Sequence, residues 1–206
     1  MQIQQIPTGP IQENCYIIWN NDELLIIDPG ADSQLLINQI EKTQAKPISI
    51  LLTHTHYDHI GAVDALRDYY SIPVFVSPLE NAWLGNPVLN LSSRHPELGG
   101  LIVRPAEHEF ELKEYSIGSF SFRVVATPGH SHGSVSFIFE DFVVSGDALF
   151  KGSIGRTDLY TGNLEQLLTS IKTELFTLPD HYVVYPGHGE ATTIGFEKAT
   201  NPFFNR

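Results

Sequence analysis

The sequence has 206 residues, of which 42% are hydrophobic and 17% charged, a composition typical of a folded globular protein with a sizeable core. The formal net charge of −12 argues against nucleic-acid binding, which requires a basic surface. The single cysteine, Cys15, excludes an internal disulfide and is predicted to be a small buried residue of a strand. The sequence has no signal-peptide pattern and no run of roughly 18–20 apolar residues, so we expect a cytoplasmic protein that does not span a membrane.

The first half of the sequence alternates between predicted strands and helices. Short β-rich or continuously apolar runs predict strands at CYIIW (15–19), ELLIID (23–28), ISILLT (48–53) and IPVFVS (72–77). Apolar residues at helical spacing predict helices at DSQLLINQIEKTQ (32–44), with Asp32 as the N-cap, and at DHIGAVDALRDYY (58–70). Proline and glycine interrupt residues 80–100, for which we expect helical turns and loop.

The second half is richer in strands. Strands are predicted at SFSFRVVATPG (119–129), SVSFIFE (134–140), FVVSG (142–146) and YVVYPG (182–187). A helix is predicted at NLEQLLTSIKTELFTL (163–178), capped by Asn163, with one apolar face: Leu164, Leu167, Leu168, Ile171 and Leu175. This order predicts one α/β domain, with sheets packed face to face and helices outside.

Four side chains that commonly bind metals follow the predicted strand 48–53 within six residues: His54, His56, Asp58 and His59. Alternate residues of an extended chain point to the same side, so the first two imidazoles can converge. Asp58 and His59 fall at the beginning of the next helix. Imidazole and carboxylate together suit zinc, iron or manganese. Four such groups at this spacing favour a metal site over a solvated polar loop, and they are enough to contribute to more than one ion.

Three further candidate ligands occur in the same setting, each after an apolar strand and a turn of small residues: His130, Asp147 and His188. Sites tend to assemble at strand ends of α/β sheets. His132 is expected to be an outer hydrogen-bonding group. Asp28 either orients a ligand histidine or forms the turn before Pro29-Gly30. The other histidines lack this setting and are expected at the surface or in structural roles: His95, His108 and His181.

THTHYDH matches the pattern HxHxDH, and together with the three later ligands it resembles the metallo-β-lactamase superfamily over essentially the whole chain. The resemblance implies a four-layer αββα sandwich, formed as a single domain over residues 1–206, with the metal site at one edge of the sheets. It also implies two divalent metal ions, with zinc expected first and iron or manganese compatible. The first ion would be bound by His54, His56 and His130, and the second by Asp58, His59 and His188, with Asp147 bridging the two.

Within the superfamily, GDALFKGSIGRTD (146–158) and PGHGEATTIGFEKATNPF (186–203) resemble the short glyoxalase II-type hydrolases, which cleave acyl-glutathione thioesters. This likeness implies a metal-bridging hydroxide that attacks the thioester carbonyl, with Asp58 orienting it as a catalytic residue. Arg156 would bind the substrate at the thiol; a structural ion pair is the alternative role. Since little sequence follows His188, we expect the C-terminal helical extension of longer members to be lacking, and the identity of the thiol stays open.

The same residues are compatible with other functions. A persulfide dioxygenase of the same fold would use one iron held by His54, His130 and Asp147. A lactonase, another ester hydrolase or a β-lactam hydrolase would use the two-metal site on a different substrate. A structural metal protein is disfavoured, because structural zinc sites are usually rich in cysteine. We expect a small-molecule thioester as the partner, with no nucleic acid and no membrane; the oligomeric state stays open.

Overall fold

Two six-stranded sheets organise the chain. The computed structural model describes residues 1–205. The contacts between residues divide the chain into two units. Unit 1 comprises residues 1–110 and 118–120, and unit 2 comprises residues 111–117 and those from 121 onward.

Unit 1 is built on the sheet with strand order β1-β2-β3-β4-β5-β6. Its strands are β1 (Gln2–Thr8), β2 (Glu13–Asn20), β3 (Glu23–Ile27), β4 (Lys46–Leu51), β5 (Val74–Val76) and β6 (His108–Glu109). Its helices are α1 (Ser33–Thr43), α2 (Tyr57–Ile60) and α3 (Val63–Tyr70). The four strands predicted for this half are confirmed. The strand β1 was not predicted, because its sequence QIQQIPT is too polar to give a clear strand pattern. It forms by antiparallel pairing with β2, which brings Ile6 opposite Cys15.

The parallel strands β3, β4 and β5 bring successive strand ends to the same edge of the sheet. The run from Leu24 to Ile27 is buried, and so is the run from Ile50 to Leu52. Continuous apolar strands of this kind are expected where helices cover a parallel sheet. Segment 80–100 forms three 3₁₀ turns joined by loop, as predicted: Asn81–Trp83, Ser92–Arg94 and Pro96–Leu98.

Two helix predictions in unit 1 need correction. Asp32 precedes α1, but its side chain does not cap the helix and instead accepts a hydrogen bond from the Gly9 backbone N–H at 2.8 Å. The helix predicted over residues 58–70 is broken into α2 and α3 around Gly61. The chain comes so close there that a Cβ atom on Gly61 would lie 2.2 Å from the carbonyl oxygen of Gly30. Contacts distant in sequence therefore override both local patterns.

Unit 2 contains the sheet with strand order β14-β13-β10-β9-β8-β7 and the small hairpin β11-β12. Its strands are β7 (Glu114–Ile117), β8 (Phe120–Ala126), β9 (Val135–Ile138), β10 (Phe142–Gly146), β11 (Leu149–Phe150), β12 (Ser153–Ile154), β13 (Val183–Pro186) and β14 (Thr192–Thr193). Its helices are α4 (Leu164–Ser170), continued by a π-helical turn (Ile171–Leu175), and α5 (Ile194–Thr200). The four predicted strands are confirmed, whereas α5 and the short strands β7, β11, β12 and β14 were not predicted.

The predicted cap and apolar face of α4 are largely confirmed. The Asn163 side-chain oxygen accepts a hydrogen bond from the Gln166 backbone N–H at 2.9 Å. Leu167, Ile171 and Leu175 are fully buried in the core of unit 2. Leu164 was wrongly placed on this face: it is the first helical residue and is 47% exposed. In the described part of the chain, no helix is both long and apolar enough to cross a bilayer.

Candidate metal centre

Unit 1 supplies four of the seven predicted ligands, immediately after β4. His54, His56 and His59 are buried, and Asp58 is half-buried in the short helix α2. The ring centroid of His54 lies 4.7 Å from that of His56 and 4.1 Å from that of His59. The strand end therefore gathers three imidazoles in the interior of the protein, as the HxHxDH spacing predicted.

Asp28 supports this cluster from the end of β3. Its carboxylate accepts hydrogen bonds from the Thr53 backbone N–H at 2.7 Å and from the Thr53 hydroxyl at 2.5 Å. Its Oδ2 also lies 3.1 Å from Nδ1 of His59. Asp28 has the left-handed backbone conformation, with φ of 49°. Both roles left open by the sequence are therefore present, because Asp28 forms the turn and orients a candidate ligand.

Thr53 extends the same network to His54. Its hydroxyl donates to Asp28, so its oxygen can accept the Nδ1 proton of His54 at 3.1 Å. With that assignment of protons, Nδ1 is the hydrogen-bond donor in both His54 and His59. Nε2 of each ring then carries the lone pair that a metal requires.

Two buried glutamates were missed by the sequence analysis. Oε2 of Glu80 accepts hydrogen bonds from the Thr55 backbone N–H at 2.8 Å and from its hydroxyl at 3.0 Å, which holds the turn between His54 and His56. Glu13 accepts a hydrogen bond from the Thr8 hydroxyl at 2.8 Å, and its Oε1 lies 3.7 Å from Nδ1 of His59. Burial raises the pKa of the Glu13 carboxyl well above its usual value, although His59 acts in the opposite direction.

Glycine at position 30 allows the backbone to pass closely beside this cluster. A Cβ atom there would lie 1.6 Å from the carbonyl oxygen of Asp58 and 2.5 Å from Oε2 of Glu13. Any side chain would therefore displace α2 or the buried glutamate. The dipeptide Pro29-Gly30 thus reverses the chain and also lets the backbone at Gly30 lie against that of Asp58.

Unit 2 supplies the remaining three predicted ligands, and all three follow strand ends. His130 comes after β8, Asp147 directly after β10, and His188 after β13. Oδ2 of Asp147 lies 3.4 Å from Nε2 of His130 and 3.8 Å from Nε2 of His188. One carboxylate oxygen of Asp147 is thus close to both imidazoles, and its role as a bridge between two ions stays a prediction.

His130 is held in a defined tautomer. Its Nδ1 lies 2.8 Å from the carbonyl oxygen of Arg156, and a carbonyl oxygen only accepts hydrogen bonds. Nδ1 therefore carries a proton, and in the neutral form of the ring Nε2 carries the lone pair on the side of Asp147. Residues 155–156 can lie this close to His130 only because residue 155 is glycine. A Cβ atom on Gly155 would lie 1.8 Å from the Asp147 carbonyl oxygen and 3.3 Å from Nδ1 of His130.

The donor sets of both units fit a divalent cation. In unit 1, Nε2 of His59 lies 3.5 Å from Oδ2 of Asp58, which repeats the 3.4 Å approach of His130 to Asp147. Two lone pairs at this separation repel each other unless a proton or a metal ion lies between them. For zinc bonds of about 2.0–2.2 Å, two ligand atoms of a tetrahedral site are about 3.3–3.6 Å apart. Both spacings match that requirement.

The residues predicted to act outside the metal site lie at or near the surface. The Arg156 guanidinium is exposed and forms two hydrogen bonds of 2.8 Å with the Asp158 carboxylate, so the alternative ion pair is present while substrate contact stays a prediction. His132 is exposed, and its backbone N–H donates to the Thr161 hydroxyl at 3.0 Å. Its outer hydrogen-bonding role stays a prediction. The other histidines lie at or near the surface, as expected: His95, His108 and His181.

Cys15 is fully buried, as predicted. Burial raises the pKa of its thiol well above the usual value. A thiol held neutral in the core is a poor nucleophile, which leaves the histidine and aspartate clusters as the chemical centre of the chain.

Curated proteins of similar sequence include metallo-hydrolases. The chain is 52% identical over 199 residues to a protein named "Probable metallo-hydrolase" from Streptococcus pyogenes, covering 94% of this chain and 86% of the relative. It is 36% identical to the hydroxyacylglutathione hydrolase GloC of Haemophilus influenzae, covering 100% of this chain and 99% of the relative.

Solved structures match over nearly the full length. The BLEG-1 B3 metallo-β-lactamase superposes with a TM-score of 0.96 at 47% identity, covering 100% of both chains. TTHA1623 in a di-iron-bound form gives a TM-score of 0.85 at 37% identity, covering 97% of this chain and 99% of that one. ETHE1 from Myxococcus xanthus gives 0.80 at 30% identity, covering 100% of this chain and 86% of that one.

These likenesses confirm the predicted metallo-β-lactamase fold, an α/β fold with two sheets. The sequence profile of the metallo-β-lactamase superfamily matches residues 8–188, a range that includes all seven predicted ligands. The chain therefore belongs to the metallo-β-lactamase superfamily.

Proposed function

We propose that this protein is a metal-dependent hydrolase that cleaves a thioester of the hydroxyacyl-glutathione type. The observation that carries the metal requirement is the approach of His130 Nε2 to Asp147 Oδ2 at 3.4 Å, repeated by His59 Nε2 and Asp58 Oδ2 at 3.5 Å. The full-length likeness to a hydroxyacylglutathione hydrolase at 36% identity supports the choice of substrate.

The proposed ligand sets follow the family pattern. His54, His56 and His130 would hold one ion, Asp58, His59 and His188 would hold the second, and Asp147 would bridge them. Zinc is proposed first, and iron is the main alternative, since a matched structure was solved in a di-iron-bound form. When bound, the ions would lower the pKa of water toward about 7 and polarise the substrate carbonyl.

The protein's own residues supply orientation. We assign Asp58 the role of accepting a hydrogen bond from the attacking water or hydroxide, so that its lone pair faces the carbonyl carbon. Asp28 and the Arg156 carbonyl keep the protons of His59 and His130 on Nδ1. A free thiol has a pKa near 8.5, so thiolate departs readily and no strong general acid is needed.

The test is elemental analysis of purified protein beside thiol release from a panel of acyl-thiol substrates, lactoyl-glutathione included. Hydrolysis that depends on about two metal ions per chain supports the proposal. Release of thiol at an unchanged rate by metal-depleted Asp147→Ala protein would refute it. A persulfide dioxygenase would instead bind one iron and consume oxygen with a thiol persulfide, so an oxygen electrode separates the two reactions.

β-Lactam hydrolysis is the second candidate, because the BLEG-1 B3 metallo-β-lactamase is 47% identical with a TM-score of 0.96. The two activities are compared by giving the same metal-loaded preparation a chromogenic cephalosporin and the thioester panel. A larger kcat/KM for the cephalosporin would replace the thioester assignment.

A further inference from the structure

A cavity of about 410 Å³ lies within unit 1, and Asp58 forms part of its wall. Small-molecule sites have volumes of about 300–1,000 Å³, so the size is adequate for part of a substrate. The wall is formed by the loop between β1 and β2, the beginning of α2, and residues from segment 95–101. A reacting group held at Asp58 would therefore extend directly into this cavity.

The lining is mainly apolar. Pro10 and Ile11 come from the first loop, and Leu98 and Leu101 come from the segment opposite. Ile11 is 46% exposed and Leu98 is 41% exposed, so both would lose contact with water when a ligand enters. Covering exposed apolar surface of this kind is favourable in proportion to the area removed from water.

One side of the cavity is aromatic. The Tyr57 ring packs on the His95 ring with centroids 4.3 Å apart and planes inclined at 41°, and both residues line the cavity. Tyr57 directly precedes Asp58, so this aromatic wall adjoins the proposed reaction centre. A flat or branched apolar group would find a complementary surface there.

The charged residues of this wall are all acidic. Asp32, Asp58 and Glu97 line the cavity, and neither lysine nor arginine is among the described residues that do so. Asp32 is held by the Gly9 backbone N–H at 2.8 Å, and Glu97 lies 3.2 Å from Nδ1 of His95. Asp58 belongs to the proposed metal site, but Asp32 and Glu97 do not, and a carboxylate-bearing ligand group beside them would meet like charge with neither lysine nor arginine in the described lining to pair with it. The cavity is therefore unsuited to the carboxylates of a thiol such as glutathione.

We propose that this cavity binds the acyl half of the thioester and selects an uncharged acyl group, with or without the 2-hydroxyl, whose apolar part is larger than the methyl group of lactoyl. Branched aliphatic and phenyl-bearing acyl groups are the class that fits its lining. Ile11 and Leu98 would be the specificity-determining residues. This inference rests on the proposed thioester hydrolysis, and it adds the chemical class of the substrate.

The first test is a series of thioesters of one thiol, from lactoyl and propionyl to isovaleryl and phenylacetyl, with the metal-loaded protein. Burial of a methylene is worth about 0.8 kcal/mol, so KM should fall up to about fourfold for each added methylene, with little change in kcat. A glutaryl thioester, which is long but anionic, should have a KM at least about tenfold above that of its uncharged counterpart. Highest kcat/KM for lactoyl, or no discrimination against glutaryl, would overturn the proposal.

The second test changes the cavity wall. Ile11→Asp should lower the preference for isovaleryl over lactoyl about tenfold, and Ile11→Ala should lower it about threefold. The matched control is Leu112→Asp, which also replaces an exposed leucine-sized residue (64% exposed) but lies in unit 2, outside this cavity. An unchanged preference in folded Ile11→Asp, or an equal loss in the control, would contradict the assignment.

A binding measurement separates this inference from the proposed function. Thioether analogues, in which a methylene replaces the thioester carbonyl, are not hydrolysed, and their dissociation constants can be measured by calorimetry. Affinity that rises with acyl size and falls in Ile11→Asp supports the cavity assignment even if no thioester is cleaved. Flat affinities beside active thioester hydrolysis would overturn the cavity assignment and leave the hydrolase function standing.

Discussion

The carbonyl oxygen of Arg156 lies 2.8 Å from Nδ1 of His130 and thereby determines which nitrogen of that ring is available to a metal. The side chain of Arg156 takes no part in this contact, since its guanidinium forms hydrogen bonds with the Asp158 carboxylate. The backbone of one residue thus supports a ligand while its side chain stays at the surface. In unit 1, the Asp28 carboxylate accepts a hydrogen bond from Nδ1 of His59 and so leaves Nε2 of that ring for a metal.

Asp147→Asn should lower the metal content from about two ions per chain to one or none, and should abolish thioester hydrolysis. The amide keeps the shape of the side chain but loses the charge that offsets two cations. Metal content is measured by elemental analysis after gel filtration. His181→Ala, at an exposed histidine, is the control and should retain both metal and activity.

Asp28→Asn should weaken metal binding by about 10–100-fold, the usual effect of changing a group that orients a metal-bound histidine. The carboxylate faces hydrogens from Thr53 and His59, and an amide nitrogen would turn one of these contacts into a clash of donors. Competition with a chromogenic chelator measures the affinity. Asp22→Asn, an exposed aspartate in the turn before β3, should bind metal as the unaltered protein does.

Glu80→Ala should lower the free energy of unfolding by about 2–4 kcal/mol, because the two Thr55 donors would lose a buried carboxylate acceptor. Urea unfolding of the metal-free protein measures this loss without a contribution from bound ions. Glu109→Ala removes an exposed carboxylate that accepts from Asn81; its effect should stay below about 1 kcal/mol. Equal losses of unfolding free energy in the two variants would show that Glu80 does not stabilise the turn between His54 and His56.

Gly30→Ala should destabilise the protein by about 1–3 kcal/mol or more, as expected when a side chain is forced into occupied space. Its Cβ atom would overlap the Asp58 carbonyl oxygen, so the affinity for metal should fall as well. Gly85→Ala is a matched control, since its Cβ atom would lie at an ordinary 3.8 Å from the Val103 carbonyl oxygen. Thermal unfolding and chelator competition on both variants give the comparison.

Arg156→Ala should raise KM about tenfold for thioesters whose thiol carries carboxylates, with kcat little changed, if the predicted contact with the thiol is made. The unfolding midpoint should hardly move, because exposed ion pairs such as that with Asp158 contribute little. Arg123→Ala, at another partly exposed arginine of unit 2, provides the control. A KM equal to that of the unaltered protein would show that the Arg156 side chain does not bind the substrate. Its roles would then be the ion pair with Asp158 and the backbone contact with His130.

The candidate ligands were predictable because their signal is local. Each follows an apolar strand within a few residues, and the periodicity that identifies a strand also locates its end. The supporting carboxylates carry no comparable signal. Glu80 is 25 residues from Thr55 in sequence, and its surroundings read as an irregular loop. Asp28 is the exception, because it ends a predicted strand directly before Pro29-Gly30.

The sequence by itself determined the principal strands and helices, the seven candidate ligands, the superfamily and the burial of Cys15, since these depend on periodicity and on short motifs. Tertiary structure decided which nitrogen of His130 faces Asp147, why Gly30 and Gly155 admit no side chain, and which apolar residues line the cavity beside Asp58. Those features depend on contacts between segments distant in the chain, and such contacts leave no pattern in any single stretch of residues.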